Sequence, residues 1–249
     1  MVKISKSILS LAGKTNGTYG LIKEGDKVLV GLSGGKDSFT LTHTLKHIQR
    51  VVPFDFHIKA VTVNYGMPGE DYSFITKHCE KYGIEHEVIQ TKTFELAGEK
   101  IRKNSSFCSF FSRMRRGALY GTALAQGYNK LALGHHLDDA VESFFMNFTY
   151  NGSLRSLPPV YTAENGVEVI RPLIMARERQ LAECAKLNDF PVIGDEACPA
   201  FRFDVKMPRA RAEAKELLAT LESSNKDLFV SLKKAFTKIH QESFFVEPN

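Results

Sequence analysis

The run KVLVGL (27–32) is apolar without alternation and stops at two adjacent glycines, Gly34 and Gly35. A strand that reads this way is buried on both faces, which a parallel sheet covered by helices on each side provides. The next stretch, FTLTHTLKHIQRV (39–51), reads as a helix. Strand, small-residue turn and helix follow one another with no spacer, so the turn lies at the carboxyl edge of the sheet. Ligands of open α/β sheets bind beyond that edge.

The same alternation continues along the chain. HIKAVTV (57–63) is a second strand, 72–82 a helix, and IEHEVIQ (84–90) a third strand. A polar interval around 95–106 precedes a helix from about Cys108 to Gln126. KLALGHH (130–136) is the fourth strand, and a helix starts near Asp138, where Val141, Phe144, Phe145 and Phe148 form one stripe. GVEVIRPL (166–173) supplies a fifth, and helices over 177–189, 208–222 and 226–238 close the chain. The expected fold is α/β, a doubly wound parallel five-stranded sheet with a helical C-terminal extension. The corresponding domains are an N-terminal segment 1–24, a nucleotide-binding domain 25–190 and the extension 191–249.

Composition narrows the class. The 249 residues are 43% hydrophobic and 24% charged, and a net charge of +5 is a mild bias toward polyanions. Four cysteines, with no Cys-x-x-Cys pair, exclude a disulfide scaffold. No apolar run is long enough for a membrane span and the N-terminus lacks a signal-peptide pattern, so a cytoplasmic protein with no membrane partner is expected.

The turn itself, Ser33-Gly34-Gly35-Lys36-Asp37-Ser38, carries the chemistry. Two glycines let the backbone bend and approach a ligand, and the amides at the helix start favour an anion. Ser33 and Ser38 add hydroxyl donors and Lys36 a positive charge. Asp37 stands where a Walker A loop needs Ser or Thr, and an acid beside phosphate calls for a divalent cation between them. Asp37 is therefore a candidate Mg²⁺ contact as well as a helix cap.

Ser33 through Ser38 resembles the pyrophosphate loop of the ATP pyrophosphatases, enzymes that split ATP between its α and β phosphates. Gly134-His-His-x-Asp-Asp139, the Phe-rich helix, YNGSLRSLPP, VIRPL and RE extend the match. Together they resemble the TtcA group of tRNA 2-thiocytidine enzymes, in register from about residue 25 to 190. The resemblance implies ATP and Mg²⁺ as cofactors, tRNA as partner, a sulfur-donor protein or sulfide, and a homodimer. It implies that Ser33, Gly34, Gly35, Lys36, Asp37 and Ser38 hold phosphate, Val63 and Asn64 lie by the adenine, and Gly134, His135 and Asp138 line the nucleotide site. Asp37 and Asp138 would hold the Mg²⁺, and Lys36 and Asp138 would serve catalysis. Of the two imidazoles, at least one also reads as a strand-end group satisfied by backbone.

One departure stands out. The family carries Cys-x-x-Cys at two places, and three of those cysteines hold a 4Fe-4S cluster; here the corresponding sequences are Cys108-x-x-Phe111 and Cys198-x-x-Phe201. Phenylalanine offers a cluster no lone pair, so a standard cluster is disfavoured. Cys79 and Cys184 sit in core-like helical patterns and read as small buried hydrophobes. Cys108 and Cys198 then read either as a cluster-free sulfur relay or as relics packed beside the two phenylalanines.

Basic residues gather late in the chain. Arg113, Arg155 and Arg209 are candidate RNA contacts, with Arg115, Arg116, Arg171, Arg177, Arg202, Lys206 and Arg211 nearby in sequence. Arg113, Arg115 and Arg116 span more than half a helical turn and cannot share one face. Phe110, Tyr150 and Phe203 are candidates for stacking on a base. Three functions follow: ATP-dependent tRNA thiolation at cytidine C2, the same ATP chemistry on a non-tRNA acceptor, or a nucleotide-binding module without catalysis.

Overall fold

A computed structural model describes residues 2–100, 107–193 and 209–244 of the chain. The elements are α1 (Lys6–Tyr19), β1 (Lys27–Gly31), α2 (Lys36–Val51), β2 (His57–Asn64), α3 (Ser73–Lys81), β3 (His86–Gln90) and α4 (Thr93–Lys100). They continue with α5 (Phe107–Ala125), β4 (Lys130–Ala132), α6 (Leu137–Tyr150), β5 (Val160–Thr162), β6 (Glu168–Ile170), α7 (Glu178–Leu187), α8 (Arg209–Ser224) and α9 (Leu228–Ala235).

The strands form one sheet in the order β3-β2-β1-β4-β6-β5. Five are parallel, and β5 runs antiparallel to β6 at the edge. The sheet thus has one strand more than expected: β5 is three residues long, and its pairing to β6 (Val160 with Ile170), not a hydrophobic pattern, makes it a strand. The chain winds outward in one direction from β1 to β3 and in the other from β4, so the order reverses between β1 and β4. That reversal is where a doubly wound sheet opens a crevice.

Helices cover both faces, as unbroken apolar strands require. On one side Val28, Val30 and Ile58 pack with Ile8 of α1, Phe39, Leu41 and Leu45 of α2, Ile75 of α3 and Leu181 of α7. On the other, Leu29, Val61 and Leu131 pack with Leu119 and Ala123 of α5.

One segment gains detail and two local readings are corrected. The N-terminal segment contains a full helix, α1, whose Ser5 side chain accepts from the Ile8 N–H and whose Gly20 closes it in the left-handed region at φ 60°. The polar interval begins with a short helix, α4. The fourth strand ends at Ala132, so Gly134 to His136 form a loop and not strand.

The chain divides into two compact units, Met1–Ala140 with Leu157–Pro208 and Val141–Ser156 with Arg209–Asn249. The first holds the sheet. In the second, Phe144 stacks on Phe148 and meets Phe236 edge-on, the Tyr150 hydroxyl donates to Glu213, and Arg211 pairs with buried Glu142.

Candidate nucleotide site

The glycine loop leaves β1 and opens α2. Gly34 has φ 85°, which L side chains rarely adopt, and a Cβ there would lie 2.4 Å from Ile193 Cδ1. Its carbonyl accepts the Ile193 N–H at 3.0 Å. Gly35 is the N-cap of α2 and no side chain caps that helix, so the N–H groups of its first turn lack the partner a cap would supply. Within the loop, Ser38 Oγ donates to the Gly35 carbonyl at 2.8 Å and lies 3.3 Å from Ser33 Oγ. The Gly35 N–H donates to Ser33 Oγ at 3.4 Å, and the uncapped start of α2 beside these contacts suits an anion.

Gly134 brings the second motif against the first. A Cβ on it would stand 3.1 Å from the Asp37 carbonyl carbon and 3.2 Å from the Ser38 nitrogen. The loop after β4 therefore lies directly on the first turn of α2, and both sequence motifs meet at the point where the strand order reverses.

Lys36 and Asp37 face one another across this turn. Lys36 Nζ lies 3.4 Å from Asp37 Oδ2 and 3.1 Å from Glu178 Oε1 at the start of α7. Burial pulls the Lys36 ammonium down, but the two acids outweigh it and the net shift is upward, so the cation is retained. For Asp37 burial dominates and pushes the carboxyl up, against the pull of Lys36 and His136. Its Oδ1 is buried and accepts no hydrogen bond.

The segment His135 to Asp139 divides into three tasks. His136 caps α6: its Nδ1 accepts the Asp139 N–H at 3.3 Å, and Asp139 Oδ2 accepts the His136 N–H at 3.1 Å. That reciprocal pair is a capping box built from His and Asp. Asp138 turns to α7, where it accepts from Arg177 Nε at 3.0 Å and from the Glu178 N–H at 2.7 Å. It therefore anchors the N-terminus of a helix some forty residues later. His135 pairs with Arg171, whose Nε donates to His135 Nδ1 at 3.1 Å.

Arg171, grouped by sequence with the RNA contacts, is 4% exposed and so is no surface phosphate ligand. Arg177 is held by Asp138, and Arg211 by Glu142. Arg113 and Arg155 are exposed, as is Arg116, while Arg115 is half-buried. Arg209 opens α8.

Val63 and Asn64 end β2. Val63 is buried, and the Asn64 carbonyl accepts from both the Thr91 N–H and the Thr91 hydroxyl. Asn64 Oδ1 accepts the Gly66 N–H at 2.7 Å, which fixes the turn at this edge.

Cys108 is the second residue of α5, three residues before Phe111. Phe111 is buried and meets the Tyr65 ring edge-on at 5.3 Å. Phe110 is half-buried against Phe111. Tyr150 is 55% exposed. Cys198, Phe201, Arg202, Phe203 and Lys206 lie outside the described residues. Cys79 and Cys184 are buried free thiols, and burial pushes Cys79 up to about 12 and Cys184 upward. Neither is a thiolate at neutral pH.

Comparison with known proteins places this site in context. The family described as "PP-loop domain" (ATP_bind_3) matches residues 3–212. A tRNA-cytidine(32) 2-sulfurtransferase of Geobacter metallireducens is 39% identical over 236 residues, covering 94% of this chain and 90% of the relative. The enzyme of that name from Pseudomonas syringae is 41% identical over 197 residues, covering 79% and 72%. Among solved structures, the U34-tRNA thiolase NcsA from Methanococcus maripaludis, solved with its 4Fe-4S cluster, superposes with a TM-score of 0.73. It shares 25% identity, and the match covers 94% of this chain and 79% of that one.

Proposed function

Because the chain belongs to the PP-loop ATP_bind_3 family, an ATP-binding family of ATP pyrophosphatases, we propose that it is an ATP-dependent tRNA thiolase acting at the C2 oxygen of a cytidine. The relatives' names specify cytidine 32, and we carry that position to this chain as its target. The single observation that carries the reading is the meeting of the Ser33–Ser38 cradle with Gly134 at the sheet's point of reversal.

The chemistry has two displacements. The C2 carbonyl oxygen of the base attacks the α-phosphorus of ATP, and pyrophosphate leaves with the electron pair of the α–β bridge. A sulfur nucleophile then adds at C2, and AMP departs with the former carbonyl oxygen. The amides opening α2, with Ser33 and Ser38, hold the β and γ phosphates, and Lys36 neutralises charge developing on pyrophosphate. Lys36 must exchange Glu178, 3.1 Å away, for phosphate to do so.

Mg²⁺ fits Asp37, whose buried Oδ1 lacks a partner. Among the described residues no three acidic, His or Cys side chains converge on a metal point, which suits an ion held mostly by phosphate oxygens. When bound it would neutralise the triphosphate. Asp138 takes part only by giving up Arg177, so in this reading its first task is to hold α7.

A 4Fe-4S cluster does not fit. Phe111 puts a buried ring with no lone pair where the resembling family carries a cysteine, and Cys79 and Cys184 are buried in other helices, α3 and α7. Sulfur therefore arrives either as external sulfide or through Cys108 and Cys198. In the relay, a persulfide-bearing sulfur donor transfers its outer sulfur to one cysteine, and the resulting persulfide attacks C2 through its terminal sulfur as AMP leaves. The second cysteine then attacks the first, the thiolated base departs with its sulfur, and the resulting disulfide consumes two electrons from an external thiol. A homodimer forms part of the same proposal, and sedimentation at micromolar concentration reads it.

The test is release of AMP and pyrophosphate from MgATP by the purified chain supplied with sulfide or a persulfide donor. Release that depends on added tRNA supports the thiolase. Release without tRNA points to another acceptor, and no release with or without it leaves a binding module.

A further inference from the structure

Arg171 follows β6 and is almost wholly buried, yet among the described residues no carboxylate pairs with it. Its Nη1 donates to the Pro158 carbonyl at 2.6 Å, and its Cζ lies 5.1 Å from the centre of the Tyr161 ring. Its Nε–H is spent on His135 Nδ1. A buried cation aimed at an imidazole is an unusual choice, because two groups that can both carry positive charge are placed in contact.

The choice has a chemical consequence. A guanidinium has no acceptor, so the nitrogen facing it must present a lone pair. His135 Nδ1 is therefore bare, and the single proton of the neutral ring resides on Nε2. Protonation would set an N–H against an N–H. Burial and then the Arg171 charge hold the imidazole down to about 4, against the pull of Asp139, with Arg115 and His136 adding to the depression. His135 itself follows Gly134, which lies against the Asp37–Ser38 backbone.

We propose that Arg171 is a positioning residue that locks His135 as a neutral Nε2–H donor to the phosphates of ATP, so that His135 stabilises negative charge and never serves as a base. The proposal rests on the ATP reading of the cradle. It also suits the reaction, since an attacking carbonyl oxygen carries no proton for a base to remove. A donor that cannot titrate keeps one hydrogen bond on the nucleotide across the working pH range.

The test is a long-range proton–nitrogen NMR spectrum of the full chain labelled with ¹⁵N-histidine, with the His135 ring assigned by its loss in His135→Gln. Wild type should show Nε2–H with bare Nδ1, unchanged from pH 8 to about 5.5. In Arg171→Met the ring should titrate closer to the ordinary histidine value; should that variant fail to fold, the wild-type tautomer decides alone. By calorimetry with ATP at pH 7.5, His135→Gln, whose amide N–H replaces Nε2–H, should keep most of the affinity. His135→Asn, whose amide reaches only to the Nδ1 position, should lose about tenfold or more. A wild-type ring carrying Nδ1–H, or titrating near its ordinary value, would overturn the proposal with the ATP reading intact. The expected tautomer in a wild type that binds no ATP would remove the donor's target and the ATP reading together.

Discussion

Gly34 and Gly134 are the residues at which one added methyl group would disturb the cradle from opposite sides. Alanine at Gly34 must adopt φ near 85° and also push Ile193 away, and it should lower stability by about 1–3 kcal/mol in urea unfolding. Alanine at Gly134 meets backbone, which cannot swing aside, so ATP affinity by calorimetry should fall more than stability does. Lys36→Met removes the one side-chain cation of the loop and should slow AMP release about 10²–10³-fold in a single-turnover assay. The loop was legible as a cluster of groups within six residues, whereas its contacts to Ile193 and Glu178 were not. The Gly134–Asp139 segment was legible only as a place. Its division of labour depends on Arg171 and Arg177, which reach it through the fold and leave no local signature. Grouping Arg171 with surface cations counted charge without burial.

At the scale of elements, α2 is held by neighbours on two sides. Against α7 it packs through Leu181, which is fully buried, and Leu181→Ala should cost about 2–5 kcal/mol in the same unfolding experiment. Against α3 it forms a histidine pair: His43 Nε2 and His78 Nε2 are 2.8 Å apart, with Phe190 stacked on His43 at 5.2 Å. Burial depresses both, His43 to about 3 and His78 to about 4. The folded values lie below the ordinary 6.5, so the unfolded chain binds the protons. Stability is then complete above about 6.5 and falls as pH drops through 6.5 toward 4. A thermal-melt series from pH 7.5 to 5 should show that decline, with a shallower slope in His43→Asn. The long helices were readable from periodicity and the buried strands from unbroken apolar runs, whereas α4 and β5 were not. β5 carries no apolar run and is made a strand by its pairing to β6, and α4 lies at the head of a stretch rich in polar residues.

For the whole molecule, the sheet order brings a loop after β1 and a loop after β4 to one crevice, and the site follows from topology more than from any single motif. Under the proposed function sulfur is delivered without a cluster, whereas the structure of the similar NcsA includes a 4Fe-4S cluster. Anaerobic reconstitution with iron and sulfide should leave the wild-type chain with far fewer than four irons, because Phe111 supplies no thiolate and packs its ring on Tyr65. That phenylalanine stands where the resembling family carries cysteine followed from the resemblance, through the sequence Cys108-x-x-Phe111. The buried packing of the phenylalanine needed the structure.

The most direct measurement is mass spectrometry of tRNA nucleosides from a host lacking its own 2-thiocytidine enzyme, complemented with this chain or with Cys108→Ser. Return of 2-thiocytidine with the wild-type chain is the expected result, and its loss with Cys108→Ser assigns the sulfur to the cysteine relay over free sulfide. A well-expressed wild-type chain that binds ATP yet leaves 2-thiocytidine absent would contradict the tRNA thiolase reading and redirect the site to another acceptor.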